Sequence, residues 1–254
     1  MQGPRVRFFV SAFAFVCSSL CNITFRFFVT GSYDAHLRVF DSSQNLVQTI
    51  PIHDGPITSI CTLVSENESV GSHIIASSSH DMTAQLTSVS FATDSSYGKN
   101  GGSKSLASLH LHTSAVTSIV ASSSSSHLLT TSRDHLIGVW DTRIPTEDEV
   151  PVTLDERERK RRKKSGDANA SSNVPKRKAP LAVLKSHTGI VSSARFEGGD
   201  NAKTAYSCGL DSTIRSWDVE AGVCTGTMVR RFDCIRHFIT QLWSRALLIG
   251  HSLM

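Results

Sequence analysis

Residues Leu128–Asp141 read LLTTSRDHLIGVWD, and three other parts of the chain can be laid on them without a gap. The 11-residue core Thr131–Asp141 aligns with Gly31–Asp41 (GSYDAHLRVFD), Ser78–Ser88 (SSHDMTAQLTS) and Cys208–Asp218 (CGLDSTIRSWD). The fourth place is always aspartate: Asp34, Asp81, Asp134 and Asp211. The tenth is Phe40, Thr87, Trp140 and Trp217. Small and apolar residues, a tight turn carrying Asp, then a strand ending in an aromatic and usually an Asp describe one β-hairpin used four times.

A lone hairpin has a face to bury and two open edges, so it is marginal in water. Stacking copies around an axis buries those faces and leaves only short edges, which predicts an all-β propeller of about four blades. A second signature precedes three of the hairpins: His53 (HDGPITS), His112 (HTSAVTS) and His187 (HTGIVSS), each with a small residue two places on and then a β-branched strand start. From each His to its hairpin Asp is 28, 22 and 24 residues, room for a further strand and turn.

These residues resemble WD-repeat proteins, in which a His before the first strand, the turn Asp, a strand Ser or Thr and a third-strand Trp share buried hydrogen bonds. The resemblance implies that network for His112, Asp134 and Trp140, with Thr130 or Ser132 as the hydroxyl, and for His187, Asp211 and Trp217, with Ser207. His53 and Asp81 keep two members, but Thr87 stands where Trp belongs, so that network is expected to be weaker. A His, an Asp and a Ser also spell a hydrolase triad. Recurrence once per repeat favours the structural role, because an active site has no reason to occur several times. With no glycine-rich phosphate loop, nucleophile elbow or dense metal cluster in the sequence, neither an enzyme nor a cofactor or metal site is expected.

At 254 residues and 39% hydrophobic the chain is long enough for a sizeable core. Its net charge of +4 is unevenly spread: Asp155–Lys178 holds ten Lys and Arg against four Asp and Glu, so the remainder carries −2. The repeat body therefore has no nucleic-acid footprint in its composition. Asp34 to Asp81 spans 47 residues, Asp81 to Asp134 53, and Asp134 to Asp211 77. The second interval contains Thr93–Ser105, a Gly and Ser stretch that reads as a mobile loop. Removing Pro145–Pro180 from the third leaves 41, an ordinary repeat length, so that interval carries one insertion and no extra blade.

The insertion is poor in bulky apolar residues and is expected to be disordered. Its basic clusters, Arg157, Arg159, Lys160, Arg161, Arg162, Lys163 and Lys164, then Lys176, Arg177 and Lys178, have the layout of a two-part nuclear-import signal read by an import carrier. Any grip on RNA is expected only here, non-specific and salt-dependent. Residues 1–27 form an atypical N-terminal segment. Its apolar run Phe8–Leu20 after Arg5 and Arg7 is laid out like a secretory signal but is too short to span a bilayer; the alternative is one or two strands of a first blade leading into Ile23–Thr30. No membrane span is expected. Six scattered cysteines, of which Cys17 and Cys21 make only a weak metal half-site, read as free thiols. The tail 230–254 has apolar residues at Ile235, Phe238, Ile239, Leu242, Ala246 and Ile249, a spacing suited to a short amphipathic helix.

SYDAHLRVFD, HDGPITSI, SSHDMTAQL, SRDHLIGVWD with its basic insertion, SHTGIVSSARF and SWDVEAGVCTGTMV together resemble the WD repeat-containing protein 12 family of ribosome biogenesis proteins, over 28–229. That resemblance implies a non-catalytic scaffold of the nucleus, nucleolus and nucleoplasm, acting in rRNA processing and 60S maturation. Implied partners are pre-60S particles and a second β-propeller protein of a PeBoW-type complex. The family begins with a ubiquitin-like domain that engages midasin; nothing before Phe28 resembles it, so that contact is not carried over. The family propeller has seven blades, and the repeats here make a partial arc, read as truncated at both ends, with exposed edges. The other class the repeats allow is a different nuclear WD-repeat adaptor, such as a ubiquitin-ligase substrate receptor or a chromatin subunit.

Overall fold

The structure, a computed structural model, describes residues 10–17, 26–41, 43–63, 72–90, 102–149, 175–198 and 203–229. They form four antiparallel sheets, each built as a meander of four strands. The first is β1 (Val10–Cys17), β2 (Arg26–Ser32), β3 (His36–Phe40) and β4 (Leu46–Pro51). The second is β5 (Ile57–Leu63), β6 (Ser72–Ser79), β7 (Ala84–Ser90) and β8 (Ser103–Leu109), with β12 (Lys176–Lys178) added in parallel to β8. The third is β9 (Val116–Ala121), β10 (His127–Ser132), β11 (Leu136–Asp141) and β13 (Ala182–Lys185). The fourth is β14 (Val191–Phe196), β15 (Thr204–Gly209), β16 (Thr213–Asp218) and β17 (Val223–Val229).

The four aligned hairpins are the second and third strands of these blades, β2–β3, β6–β7, β10–β11 and β15–β16. In every turn the residue after the Asp is left-handed: φ is 68° at Ala35, 70° at Met82, 69° at His135 and 59° at Ser212. The Asp makes this tolerable by accepting, through Oδ1, the N–H of the residue two places on, at 3.2, 2.9, 3.0 and 3.1 Å for His36, Thr83, Leu136 and Thr213. None of the four is glycine. Met82→Gly is therefore expected to raise stability by about 0.5–1 kcal/mol, read as an upward shift of the denaturation midpoint.

The hydrophobic core lies between blades. One cluster joins Val29, Leu37, Val39 and Ile50 of the first blade to Ile57, Ile60, Ile75 and Val89 of the second. The next joins Leu86, Ala107 and Leu109 to Ile119, Leu128 and Trp140, and the third joins Leu129, Val139 and Leu184 to Val191, Ala205 and Trp217. Each blade is thus covered by its neighbours, and the first strands β1, β5, β9 and β14 touch in that order. A strand pressed between two blades is buried on both faces, which is why Leu128–Ser132 is continuously buried and does not alternate.

Sequence spacing hides a set of hydroxyl rivets. Thr58 Oγ1 in β5 donates to the Val116 carbonyl in β9 at 2.8 Å and is 2.8 Å from Ser78 Oγ. One blade on, Thr117 Oγ1 in β9 donates to the Val191 carbonyl in β14 at 2.6 Å and lies 2.8 Å from Thr131 Oγ1. Both threonines stand five places after their His. Thr117→Val keeps the shape but leaves Val191 and Thr131 unpaired between blades, so a loss of about 1–2 kcal/mol is expected in equilibrium denaturation.

Within the apolar run Phe8–Leu20 lies β1, which pairs with β2, the strand leading into the first hairpin, in keeping with the reading of this segment as strands of a first blade. Two expectations are corrected here. The Gly and Ser loop ends earlier than Ser105, because Ser103–Leu109 is β8. The insertion 145–180 is not disordered throughout: Lys176–Lys178 is a strand, because backbone hydrogen bonding to β8 and a buried ammonium hold it there. Residues 150–174 and the tail 230–254 lie outside the described residues, so the disorder and helix expectations for them do too.

Candidate functional site

In the third blade His112 Nδ1 lies 3.0 and 3.2 Å from the Asp134 carboxylate and Nε2 lies 2.9 Å from Thr130 Oγ1, to which Trp140 Nε1 donates at 2.9 Å. In the fourth, His187 Nδ1 is 2.8 Å from Asp211 Oδ2 and Nε2 is 2.7 Å from Ser207 Oγ, which accepts from Trp217 Nε1 at 2.7 Å. One assignment of protons satisfies every atom. The indole N–H donates to the hydroxyl, the hydroxyl donates to Nε2, and Nδ1–H donates to the carboxylate, so the imidazole is neutral. Thr130 is the hydroxyl in the third blade; Ser132 instead donates to the carbonyls of Ser114 and Ala115.

The second blade keeps His53 on Asp81 at 2.8 Å and on Ser77 at 3.0 Å. Thr87 does not replace the indole: its Oγ1 is buried with no hydrogen-bond partner. In the first blade Arg38 grips Asp34 through Nη1 and Nη2, holding its carboxyl down at about 2. Ser77 carries no aromatic signal nearby; only its place immediately before the aligned core, shared with Thr30, Thr130 and Ser207, marks it.

Small residues in these segments answer to close approach. A Cβ on Gly189 would sit 2.8 Å from the Asp211 nitrogen, and one on Gly138 would sit 2.7 Å from Trp140 Nε1 and 2.8 Å from Thr130 Oγ1. The hydroxyls Ser77, Thr130 and Ser207 are at most 2% exposed, and each is already committed to a histidine. The trios are therefore braces and not nucleophiles with an open approach.

Burial lowers the affinity of His112 and His187 for a proton despite their Asp partners. Burial alone would raise Asp81, Asp134 and Asp211, but the N–H groups aimed at each carboxylate, joined by the Thr83 and Thr213 hydroxyls at Asp81 and Asp211, outweigh it, and all three titrate below the ordinary 3.8. For both kinds of group the unfolded chain binds protons that the folded chain refuses, so stability rises with pH. It is expected to be complete above 6.5, to fall as the unfolded histidines take up protons below that, and to fall further below 3.8. Denaturation midpoints measured from pH about 8 down to about 4 check this sign.

Of the import candidates, Arg157, Arg159, Lys160, Arg161, Arg162, Lys163 and Lys164 lie outside the described residues, while Lys176 is exposed, Arg177 half-buried and Lys178 buried at 1% exposure. Lys178 Nζ pairs with the Asp141 carboxylate and donates to the Arg143 carbonyl. The backbone is clasped as well: Arg177 N–H donates to Asp148 Oδ1 at 2.8 Å, Glu149 N–H to the Arg177 carbonyl at 2.8 Å, and Ala179 N–H to Glu149 Oε2 at 3.1 Å. The second basic cluster thus forms a strand at the blade edge, and Lys178, expected in a disordered import segment, is buried there.

Cys61, Cys208 and Cys224 are free, with burial pushing the Cys61 thiol up to about 12. No group of three or more His, Cys, Asp and Glu able to hold a metal occurs among the described residues, and no helix there is long and apolar enough to cross a membrane.

The WD domain, G-beta repeat, matches residues 44–88, 103–141 and 178–218. Each match ends on the last place of an aligned hairpin and begins with, or just ahead of, the outer strand of the preceding blade. Among curated proteins the chain is similar to the ribosome biogenesis protein YTM1 of Laccaria bicolor, 48% identical over 219 residues, 84% of this chain and 46% of that protein. YTM1 of Coprinopsis cinerea is 46% identical over 208 residues, covering 79% of this chain and 44% of that protein, and ytm1 of Emericella nidulans is 31% identical over 201 residues, covering 78% and 40%. The chain spans less than half the length of these relatives. The chain thus carries WD repeats in phase with its blades, and over most of its own length it is similar to YTM1 proteins.

Proposed function

We propose that this protein is a non-catalytic interaction scaffold in 60S ribosomal subunit biogenesis and rRNA processing, working in the nucleus, chiefly the nucleolus and nucleoplasm. The observation that carries the reading is the 48% identity over 219 residues to a ribosome biogenesis protein, in a chain whose blade hydroxyls are sealed into braces. A stack of blades held by internal networks presents loops and edges as binding surface, and its chemistry is that of recognition. Its partners are a second β-propeller protein and pre-60S particles. Nuclear entry runs through Arg157–Lys164, and RNA is touched at most through that insertion.

Affinity purification with mass spectrometry and probing of bound RNA tests this: pre-60S factors and rRNA precursors are expected. A ubiquitin ligase or chromatin complex in their place would replace the assignment with another adaptor role. Removal of residues 155–174, which leaves the Lys176–Lys178 strand in place, is expected to abolish nuclear accumulation. Continued accumulation without a co-imported partner would refute the import assignment.

A further inference from the structure

The second blade lacks the indole that its neighbours bury. Trp140 and Trp217 are at most 1% exposed, and each donates its Nε1–H to the hydroxyl of its own blade. Trp140 packs with Leu109 and Leu111, which stand three places and one place before His112. The same offsets from His53 are Ile50 and Ile52, at the end of β4. These two isoleucines line a cleft of about 310 Å³ together with Gln85 and Thr87 of β7, Ser103 at an exposed position, and Pro175.

Two features distinguish this cleft from a packing gap. Gln85 is pinned, its Nε2 donating to the Ile52 carbonyl at 2.5 Å and its Oε1 accepting from Ser105 Oγ at 3.2 Å, so its amide is already committed. Thr87, 1% exposed, lines the cleft with an Oγ1 that has no hydrogen-bond partner, a cost unless something bonds it. The lining carries no charged side chain, so a neutral ligand suits it. Apolar and neutral polar lining residues and one unsatisfied hydroxyl match a planar aromatic body with a single N–H.

We propose that this cleft receives a tryptophan side chain from a partner protein, supplying from outside the indole that the second blade does not have. Tryptophan anchors of this kind are frequent at the centres of protein interfaces. The claim concerns the mode of docking and stands whether or not the partner belongs to ribosome assembly.

The full chain, labelled at isoleucine methyl groups, is titrated with N-acetyl-L-tryptophanamide and followed by NMR. Saturable shifts confined to the Ile50 and Ile52 methyls are expected, with no saturation by N-acetyl-L-leucinamide. Thr87→Trp fills the cleft from within and Ser103→Trp obstructs it from an exposed position; either is expected to weaken binding at least tenfold, and the second does not depend on repacking the interior. Absence of shifts at the solubility limit, equal response to the leucine probe, or unchanged binding in a folded Ser103→Trp variant would overturn the proposal. Tighter binding in Trp243→Phe would assign the cleft to the chain's own tryptophan and also overturn it.

Discussion

Asp211→Ala is expected to destabilise the protein by about 4 kcal/mol, with the Trp217 environment loosened before global unfolding. The carboxylate accepts from His187 Nδ1 at 2.8 Å, from the Thr188 N–H at 3.0 Å, and from the Thr213 N–H and hydroxyl at 3.1 and 2.7 Å. Hydrogen bonds to a charged acceptor contribute roughly 1.5–3 kcal/mol each, and buried donors left without partners carry an added desolvation cost. The loss propagates, because without the carboxylate nothing fixes the Nδ1–H tautomer that lets Nε2 accept from Ser207 and hence Ser207 accept from Trp217. Asp81→Ala should cost less, since Asp81 is more exposed than Asp211, 14% against 5%, and no indole hangs from its chain of bonds. Equilibrium denaturation of both variants gives the comparison. A loss at Asp81 equal to or larger than that at Asp211 would show that the indole adds nothing to the brace.

Lys178→Ala is expected to cost about 3 kcal/mol, the low end for removing one partner of a buried ion pair, because the Asp141 side chain keeps 24% exposure and some hydration. The lysine belongs to a strand on the edge of the second blade, while Asp141 ends β11 of the third, so the pair crosslinks two blades. Lys178→Met retains the apolar stem and should lose only about 1–2 kcal/mol, separating packing from charge. Release of the strand also predicts faster tryptic cleavage at Arg177, whose backbone Asp148 and Glu149 otherwise hold. Undiminished stability in the alanine variant, with Arg177 still protected, would mean the strand is held by its backbone alone.

Much of the fold was legible because the signals were local. The turn Asp is readable at four places since only a short acceptor side chain supports a left-handed residue after it without glycine. His112, His187, Trp140 and Trp217 were legible because each recurs at a similar place in its repeat; the structure joins them through Ser207 and, of the two hydroxyls open in the third blade, Thr130. Thr58 and Thr117 sat inside the quoted motifs yet gave no sign of bonding to the next blade, because that contact depends on how two sheets lie together. The burial of Lys178 was not legible because a lysine among lysines and arginines in a segment poor in apolar residues reads as disordered, and pairing with Asp141 is a property of where a distant strand ends.

The amino-acid sequence by itself determined the repeating unit: the hairpin, its turn, the His that precedes it and the missing indole at Thr87, all of which follow from side-chain chemistry within some thirty residues. Tertiary structure alone decided what happens between units, namely the threonine rivets, the core shared by adjacent blades, the lysine drawn into the edge strand and the cleft lined by Ile50 and Ile52. The physical reason is range. Turn and strand preferences act along the chain, whereas burial and the pairing of buried polar groups depend on surfaces that neighbours bring together.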